Sequence, residues 1–469
     1  IQRLELVAGF SSNDDSDEKL DKLEDLLAMS GETINAAAPY FAELLSLPWE
    51  ERYTVKPLTP QQIREGTIEV LIGQVLNLSR QCPVLFILED AHWIDPSTEA
   101  LIGELLVRTA GASIFFLITH RPEYEPPWPK QPHLTSIALN RLSRVQGAEI
   151  ARAVGGDMLA EALIDGIVAR ADGVPLYVEE IARSVLEADR SGGDRATDGV
   201  IPSSLHASLT ARLDRLGEAK KVAQIAAVIG REFPLKLISA VYTDANLGQM
   251  LEQLVASELV YRIRAEPEPA YFFKHALVQN AAYESLLRAN RRAAHAGIAA
   301  ALRDIYPEQA ATSPELLALH YTEAGETDQA LDYWLKSGLR ANGQSAYLEA
   351  IGHLRKGLNT LIELAEGATR DHIELQLQTA LASACLATDG FTAESTADAY
   401  ARAQALCTKL GGDEQVYPII YGTFRYMYGS GKHQQARDLA ESTLERATEQ
   451  TNSIHLMMSH RMMGSNRFA

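Results

Sequence analysis

Apolar positions early in the chain recur at helical spacing, with Leu20, Leu23, Leu26 and Leu27 on one face. Pro48, Pro57 and Pro60 interrupt that pattern. A further helix is predicted from Gln62 to Leu78, where Ile63, Ile68, Val70, Leu71, Val75 and Leu78 are apolar, and it runs toward Pro83. Val84 to Leu88 then breaks the period: five consecutive apolar residues without alternation predict a strand covered on both faces, as in a parallel, doubly wound sheet. Asp95-Pro96-Ser97-Thr98-Glu99 reads as a helix start, with an Asx cap followed by proline in the first turn. Leu101 with Leu105, and Ile102 with Leu106, continue it at i, i+4. Ser113 to Thr119 is a second buried strand, which makes a βαβ unit with a right-handed crossover.

Pro122, Pro126, Pro127, Pro129 and Pro132 mark a loop, after which the pattern is mainly helical. Ser191-Gly192-Gly193-Asp194 has the composition of a flexible linker. Helices around 205–229 and 246–257, followed by β-like pieces at Leu259–Ile263 and Ala270–Phe273, predict a winged-helix-like module. Beyond about residue 310 the chain reads as stacked helical pairs. Ala318, Tyr321, Gly325, Ala330 and Trp334 have the small-and-aromatic packing pattern of a tetratricopeptide (TPR) pair, and Gly338, Ala350, Leu354 and Gly357 repeat it imperfectly. Tyr417 to Thr448 forms a further pair around Gly429-Ser430-Gly431.

Composition narrows the picture. The 469 residues, 46% hydrophobic and 22% charged, are those of a globular chain of about three domains. Lys and Arg number 43 against 62 Asp and Glu, a formal charge of −19, the wrong sign for general nucleic-acid binding. Cys82, Cys385 and Cys407 form no C-x-x-C pair, so neither a zinc site nor a disulfide framework is signalled, and a reducing cytoplasm is expected. No apolar stretch approaches the ~18 residues that cross a bilayer, so no membrane partner is expected.

Glu89 and Asp90 end the first buried strand, which is the layout of a Walker B motif: acids outside the carboxyl end of a strand hold Mg²⁺ and orient water. Successive strand residues point to opposite faces, so the two acids divide these jobs. The plainer alternative is a strand that ends in two solvated acids. Arg121, after the next strand, lies at the same sheet edge, either as a phosphate contact or as a surface loop arginine. Asp172-Gly173-Val174-Pro175-Leu176 interrupts a helix and starts another, an ordinary turn in isolation. His92 has no second His or Cys at ligand spacing, which favours a packing or capping role over a metal. A phosphate-cradling G-x-x-x-x-G-K-[ST] loop is missing: the one Gly-Lys pair, Gly431-Lys432, is followed by His433 and preceded five residues earlier by Tyr426.

Together, Leu88 to Pro96, Thr119 to Glu123, Gly173 to Glu180 and Phe273 to Gln279 resemble consecutive landmarks of one family. It is the AAA/STAND-type ATPase and TPR region of bacterial class III adenylate/guanylate cyclase-like signalling proteins, and the resemblance runs along essentially the whole chain. It implies an α/β-then-all-α architecture: a partial P-loop NTPase core with the Walker B motif at 1–140, a helical lid with a G-x-P turn at 141–195, a winged-helix-like module at 196–305 and a degenerate TPR-like solenoid at 306–469. In that family a cyclase domain and the Walker A loop precede the portion present here. The chain is therefore expected to start after a Walker A lost from its N-terminal side, and Ile1 in place of Met fits that expectation.

Carried over by resemblance, Glu89 matches the Mg²⁺-associated acid and Asp90 its water-orienting neighbour. Because Glu89 departs from the Asp usual in P-loop proteins, either one is the metal partner. Arg121 matches the phosphate-sensing arginine, and Gly173 and Pro175 match the turn that touches the nucleotide base. The implied cofactors are ATP and Mg²⁺, and the implied partners are ATP/ADP, proteins bound by the repeats and a cyclase domain in the same full-length chain. The implied function is a nucleotide-dependent regulatory region controlling an attached effector, inactive on its own in this chain. Two alternatives remain: a fragment of a STAND/LuxR-type transcription regulator, and a non-enzymatic TPR scaffold whose groove would use Tyr321, Trp334 and Tyr347.

Overall fold

A computed structural model describes residues 2–10, 14–29, 33–49, 52–53, 59–128, 131–190, 204–264, 269–390, 393–410, 416–450 and 453–466. In chain order these form helices α1 (Gln2–Val7), α2 (Ser16–Met29), α3 (Ile34–Leu44) and α4 (Pro60–Gln81), strand β1 (Val84–Leu88), helix α5 (Pro96–Arg108) and strand β2 (Ile114–Ile118). Helices α6 (Arg144–Gly155), α7 (Glu161–Ala171), α8 (Pro175–Arg190), α9 (Leu205–Arg215) and α10 (Ala219–Ile229) follow. Next come β3 (Glu232–Pro234), α11 (Leu235–Val241), α12 (Leu247–Ala256), β4 (Val260–Arg264), β5 (Ala270–Phe273), α13 (Ala276–Glu284) and α14 (Arg288–Ile305). The remainder is helical: α15 (Pro307–Thr312), α16 (Pro314–Ala324), α17 (Thr327–Gly343), α18 (Tyr347–Thr360), α19 (Ala368–Thr388), α20 (Glu394–Leu410), α21 (Val416–Gly429), α22 (His433–Gln450) and α23 (Ser453–Asn466). The protein is thus mostly helical with a small parallel sheet. The Ser191–Asp194 linker expectation falls outside the described residues.

Contacts divide the chain into two compact units. One comprises residues 1–135, 312–318 and 327–469. In it, β1 and β2 pair in parallel from Val84↔Ile114 to Leu88↔Ile118, with α5 as the crossover. Thr59 opens α4 with a reciprocal capping box to Gln62, which is why that helix starts earlier than its apolar period indicates. Phe86, Leu88, Phe116 and Ile118 pack on Ile72 of α4 and on Ile102, Leu105 and Leu106 of α5.

The opposite sheet face departs from the expectation of two covered faces. Leu85, Ile87, Phe115 and Leu117 are 61%, 54%, 66% and 46% exposed. The reason is that α4 and α5 pack on the same side of the two strands, and among the described residues nothing comparable covers the other side.

In the repeat helices of this unit, Gly338 of α17 lets Leu354 of α18 approach so closely that a Cβ would lie 2.4 Å from its side chain. Gly357 is flanked in the same way by Leu377 and Trp334. Trp334 is buried, and Tyr347 packs against the core that Ala350, Leu354 and Leu377 build, so these aromatics serve the interior. Gly431-Lys432 closes the turn from α21 to α22, with Gly431 at φ +75° and Lys432 N–H donating to the Met427 carbonyl at 2.9 Å.

The other unit comprises residues 136–311 and 319–326. Ile164, Ile167, Val178 and Ile181 form one core beneath α6 to α8. Strands β3, β5 and β4 form an antiparallel sheet in that order, with β3 joined to β5 through Phe233↔Tyr271. Phe233, Phe273, Leu213, Leu251 and Leu254 fill the core between this sheet and its helices. The helices expected around 205–229 are α9 and α10, separated where Gly217 adopts φ +56°.

Candidate functional site

The carboxyl ends of β1 and β2 lie side by side, and backbone bonds carry their pairing past the strands. Thr119 N–H donates to the Leu88 carbonyl at 2.9 Å, and Ala91 N–H donates to the Thr119 carbonyl at 2.8 Å. Asp90 adopts the left-handed conformation, φ 55° and ψ 46°, and its N–H donates to Thr119 Oγ1 at 3.0 Å. This turns the chain sharply after the two acids, and Ala91–Trp93 follow as one tight helical turn. A left-handed Asp is uncommon and marks a backbone shape imposed by its surroundings.

Glu89 is exposed and Asp90 half-buried. The guanidinium of Arg121 sits 5.6 Å from the centre of the Trp93 ring. The fold therefore brings Glu89, Asp90 and Arg121 to one edge. Their carboxylates are hard oxygen donors of the kind Mg²⁺ takes together with phosphates. Among the described residues, no group of three or more His, Cys, Asp or Glu is placed to hold a metal ion. The 469 residues contain no phosphate-wrapping G-x-x-x-x-G-K-[ST] loop.

The loop after β2 is tied back to α5. Tyr124 donates its hydroxyl to the Glu99 carboxylate, and Trp128 Nε1 donates to the Glu99 carbonyl at 3.0 Å. Burial and that carboxylate hold the Tyr124 phenol above its ordinary range. At the start of α5 every donor of the first turn is engaged. Asp95 accepts from Thr98 N–H at 2.8 Å, the Asp95 carbonyl accepts from Glu99 N–H at 2.9 Å, and Pro96 has none to offer. Ser97 N–H donates to Glu349 of α18 at 2.7 Å.

Gly173 and Pro175 belong to the other unit. Gly173, at φ +72°, passes so near Leu142 that a Cβ would lie 2.6 Å from the Leu142 carbonyl oxygen. Leu142 N–H donates to the Gly173 carbonyl at 2.7 Å, and Arg141 pairs with Asp172. Glycine is thus demanded by backbone crowding, and Pro175 starts α8.

Glu179, which follows Pro175, meets the lysine of the Phe273–Gln279 segment, a convergence that spacing does not reveal. Glu179 contacts Lys274 at 3.4 Å and Arg183 at 3.0 Å, while Glu258 contacts Lys274 at 3.3 Å and Arg183 at 2.5 Å. Burial pushes the Glu179 carboxyl up, but the charges of Lys274 and Arg183 outweigh it and leave the group below its usual range. Glu180 and Arg212 form a fully buried ion pair, and Arg212 Nη2 also donates to the Ser257 carbonyl at 2.8 Å.

His92 packs its ring 4.7 Å from that of Trp93, as a packing role requires. Neither of its ring nitrogens finds a hydrogen-bond partner among the described residues. The three cysteines are free thiols, and no described helix is long and apolar enough to cross a membrane.

No protein-family model matches the chain. It is 28% identical over 418 residues to an uncharacterized protein of Rhizobium meliloti (strain 1021), an alignment covering 86% of this chain and 40% of that protein. The chain thus spans about two fifths of the length of the curated relative it matches. Among solved structures it is similar to the crystal structure of a Signal Transduction ATPase with Numerous Domains (STAND) protein with a tetratricopeptide repeat sensor from Pyrococcus horikoshii. That similarity covers 97% of this chain and 68% of the other, at 12% identity and a TM-score of 0.42.

Proposed function

We propose that the chain is the regulatory region of a nucleotide-dependent signalling protein, in which ATP binding and hydrolysis control an attached cyclase-like effector. The observation that carries this reading is the shared edge where Glu89, Asp90 and Arg121 stand beyond two parallel strands. Open α/β sheets bind ligands at that edge. The apolar face of Leu85, Ile87, Phe115 and Leu117 supports the same reading, since parallel sheets are built to be covered on both sides. A strand and helix carrying a phosphate loop, supplied from outside these 469 residues, would cover it and complete the core.

When bound, Mg²⁺ and ATP supply the phosphoanhydride and the charge that holds its oxygens. One of Glu89 and Asp90 would hold the metal's water shell, and the other would orient the attacking water. Arg121 reads the terminal phosphate through its planar donors. The β3-β5-β4 module serves as the winged helix, and the C-terminal helix pairs engage protein partners. The buried Trp334 weighs against a scaffold groove built on that side chain.

The test is ATP turnover. The 469-residue chain is expected to show none. In a longer polypeptide that also carries a phosphate loop, turnover should appear and fall by two orders of magnitude or more in Asp90→Asn or Glu89→Gln. Turnover by the 469-residue chain that vanished in Asp90→Ala would overturn the proposal.

A further inference from the structure

We propose that Trp93 is a positioning residue for Arg121, holding the guanidinium over the carboxyl edge of β1 and β2 where a phosphate is read; the inference rests on the nucleotide reading of that edge. Three observations carry it. First, the Trp93 backbone is fixed. Asp90 turns left-handed, its carbonyl accepts from Trp93 N–H at 2.9 Å, and Ala91 and Asp90 are pinned to Thr119. Second, the Trp93 ring meets the tilted His92 ring at 4.7 Å but is 61% exposed, an unusual solvent exposure for so large an apolar surface. Third, the Arg121 guanidinium lies within the distance at which a cation and an aromatic face attract.

The Arg121 backbone is fixed as well. Its carbonyl accepts from Tyr124 N–H at 3.1 Å and lies 2.8 Å from His120 Nδ1, so only the long side chain has freedom to move. An exposed arginine beside two acids would otherwise spread over many rotamers. An aromatic rest narrows that spread, so the guanidinium meets a phosphate already placed and keeps the ring contact when it does.

The first experiment uses the 469-residue chain without nucleotide. Arg121→Met should shift the tryptophan emission, and the same substitution in a Trp93→Phe background should leave the emission of Trp49, Trp128 and Trp334 unchanged. Emission unchanged by Arg121→Met in the Trp93 chain would overturn the proposal. The second uses the protein that carries the phosphate loop, with ATP and ADP as probes. Trp93→Leu should reduce the preference for ATP over ADP by about two- to five-fold, the range of an exposed cation–π contact. Trp93→Phe, which keeps an aromatic face, should restore most of it, with kcat little changed in both. Equal preference in wild type and Trp93→Leu, or an equal loss in the Leu and Phe variants, would overturn the proposal. If Arg121→Ala left nucleotide preference untouched while the emission coupling was present, the phosphate-sensing reading would fall and the positioning contact would stand.

Discussion

Glu349 accepts a hydrogen bond from the backbone N–H of Ser97 at 2.7 Å, across 252 residues of sequence. A carboxylate from the repeat helices thus caps the helix that follows the Walker B-like turn, where the helix dipole favours negative charge. A second link joins the same regions, with Arg340 Nη2 donating to Ser46 Oγ at 2.7 Å. Replacing Glu349 by Ala should destabilise the unit by about 1 kcal/mol, the usual cost of a lost helix cap. Glu349→Gln, which keeps an acceptor, should lose less. Urea unfolding of both variants checks this, and equal midpoints for Ala and wild type would refute it.

The buried Glu180–Arg212 pair joins α8 to α9. Removing one partner leaves an uncompensated charge in the interior, so Glu180→Leu should cost roughly 3–5 kcal/mol. Adding Arg212→Met should recover a large part of that loss. Thermal denaturation of the singles and the double gives the coupling, and additive losses would contradict it.

His295 and His320 are both buried, with their Nδ1 atoms 2.9 Å apart and Tyr283 Oη 3.1 Å from His295 Nε2. One imidazole donates and the other accepts, an arrangement that full protonation destroys. Burial lowers both pKa values from 6.5 to about 4, aided at His295 by the positive charge of Arg291 and at His320 by His295. Between these values the unfolded chain binds more protons than the folded one, so stability is complete above pH 6.5 and declines as pH falls toward 4. In His295→Gln/His320→Gln the unfolding midpoint should depend less on pH over that window than in wild type. Parallel pH profiles would disprove the assignment.

The one-sided sheet makes a contrast. Leu85→Thr and Phe115→Thr replace exposed side chains and should alter stability by about 0.5 kcal/mol or less. Leu106→Ala, in the core beneath the covered face, should cost about 2–5 kcal/mol. Chemical denaturation separates the two outcomes, and a large loss at Leu85 would show that its face is covered after all.

What the sequence made legible was local. Pro83 and the Asp95-Pro96 pair bracket β1 and α5 because a proline and a capping carboxylate act within a few residues of themselves. The same holds for Glu89, Asp90 and Arg121, whose shared edge follows from where two strands end. Coverage of Leu85 and Phe115 was not legible, because an apolar run does not encode which face its neighbours occupy. Gly173 was readable as a special turn, yet its reason is the Leu142 carbonyl, a tertiary neighbour. The ties from Glu349 to Ser97 and from Glu180 to Arg212 have no local signature. Neither does the hold of Trp93 on Arg121, which depends on the left-handed Asp90 turning the chain toward β2.

The open face of β1 and β2 also governs how the protein behaves in bulk. Four large apolar side chains stand beside strand edges that pair with no further strand among the described residues, a self-complementary adhesive through which two copies would extend one another's sheet. A net charge of −19 keeps copies apart at low ionic strength. Salt shortens that repulsion to a Debye length of about 8 Å at physiological strength, while contact between apolar faces is not weakened. Colloidal stability should therefore decline as salt rises, the reverse of a protein held in solution by screening of opposite charges.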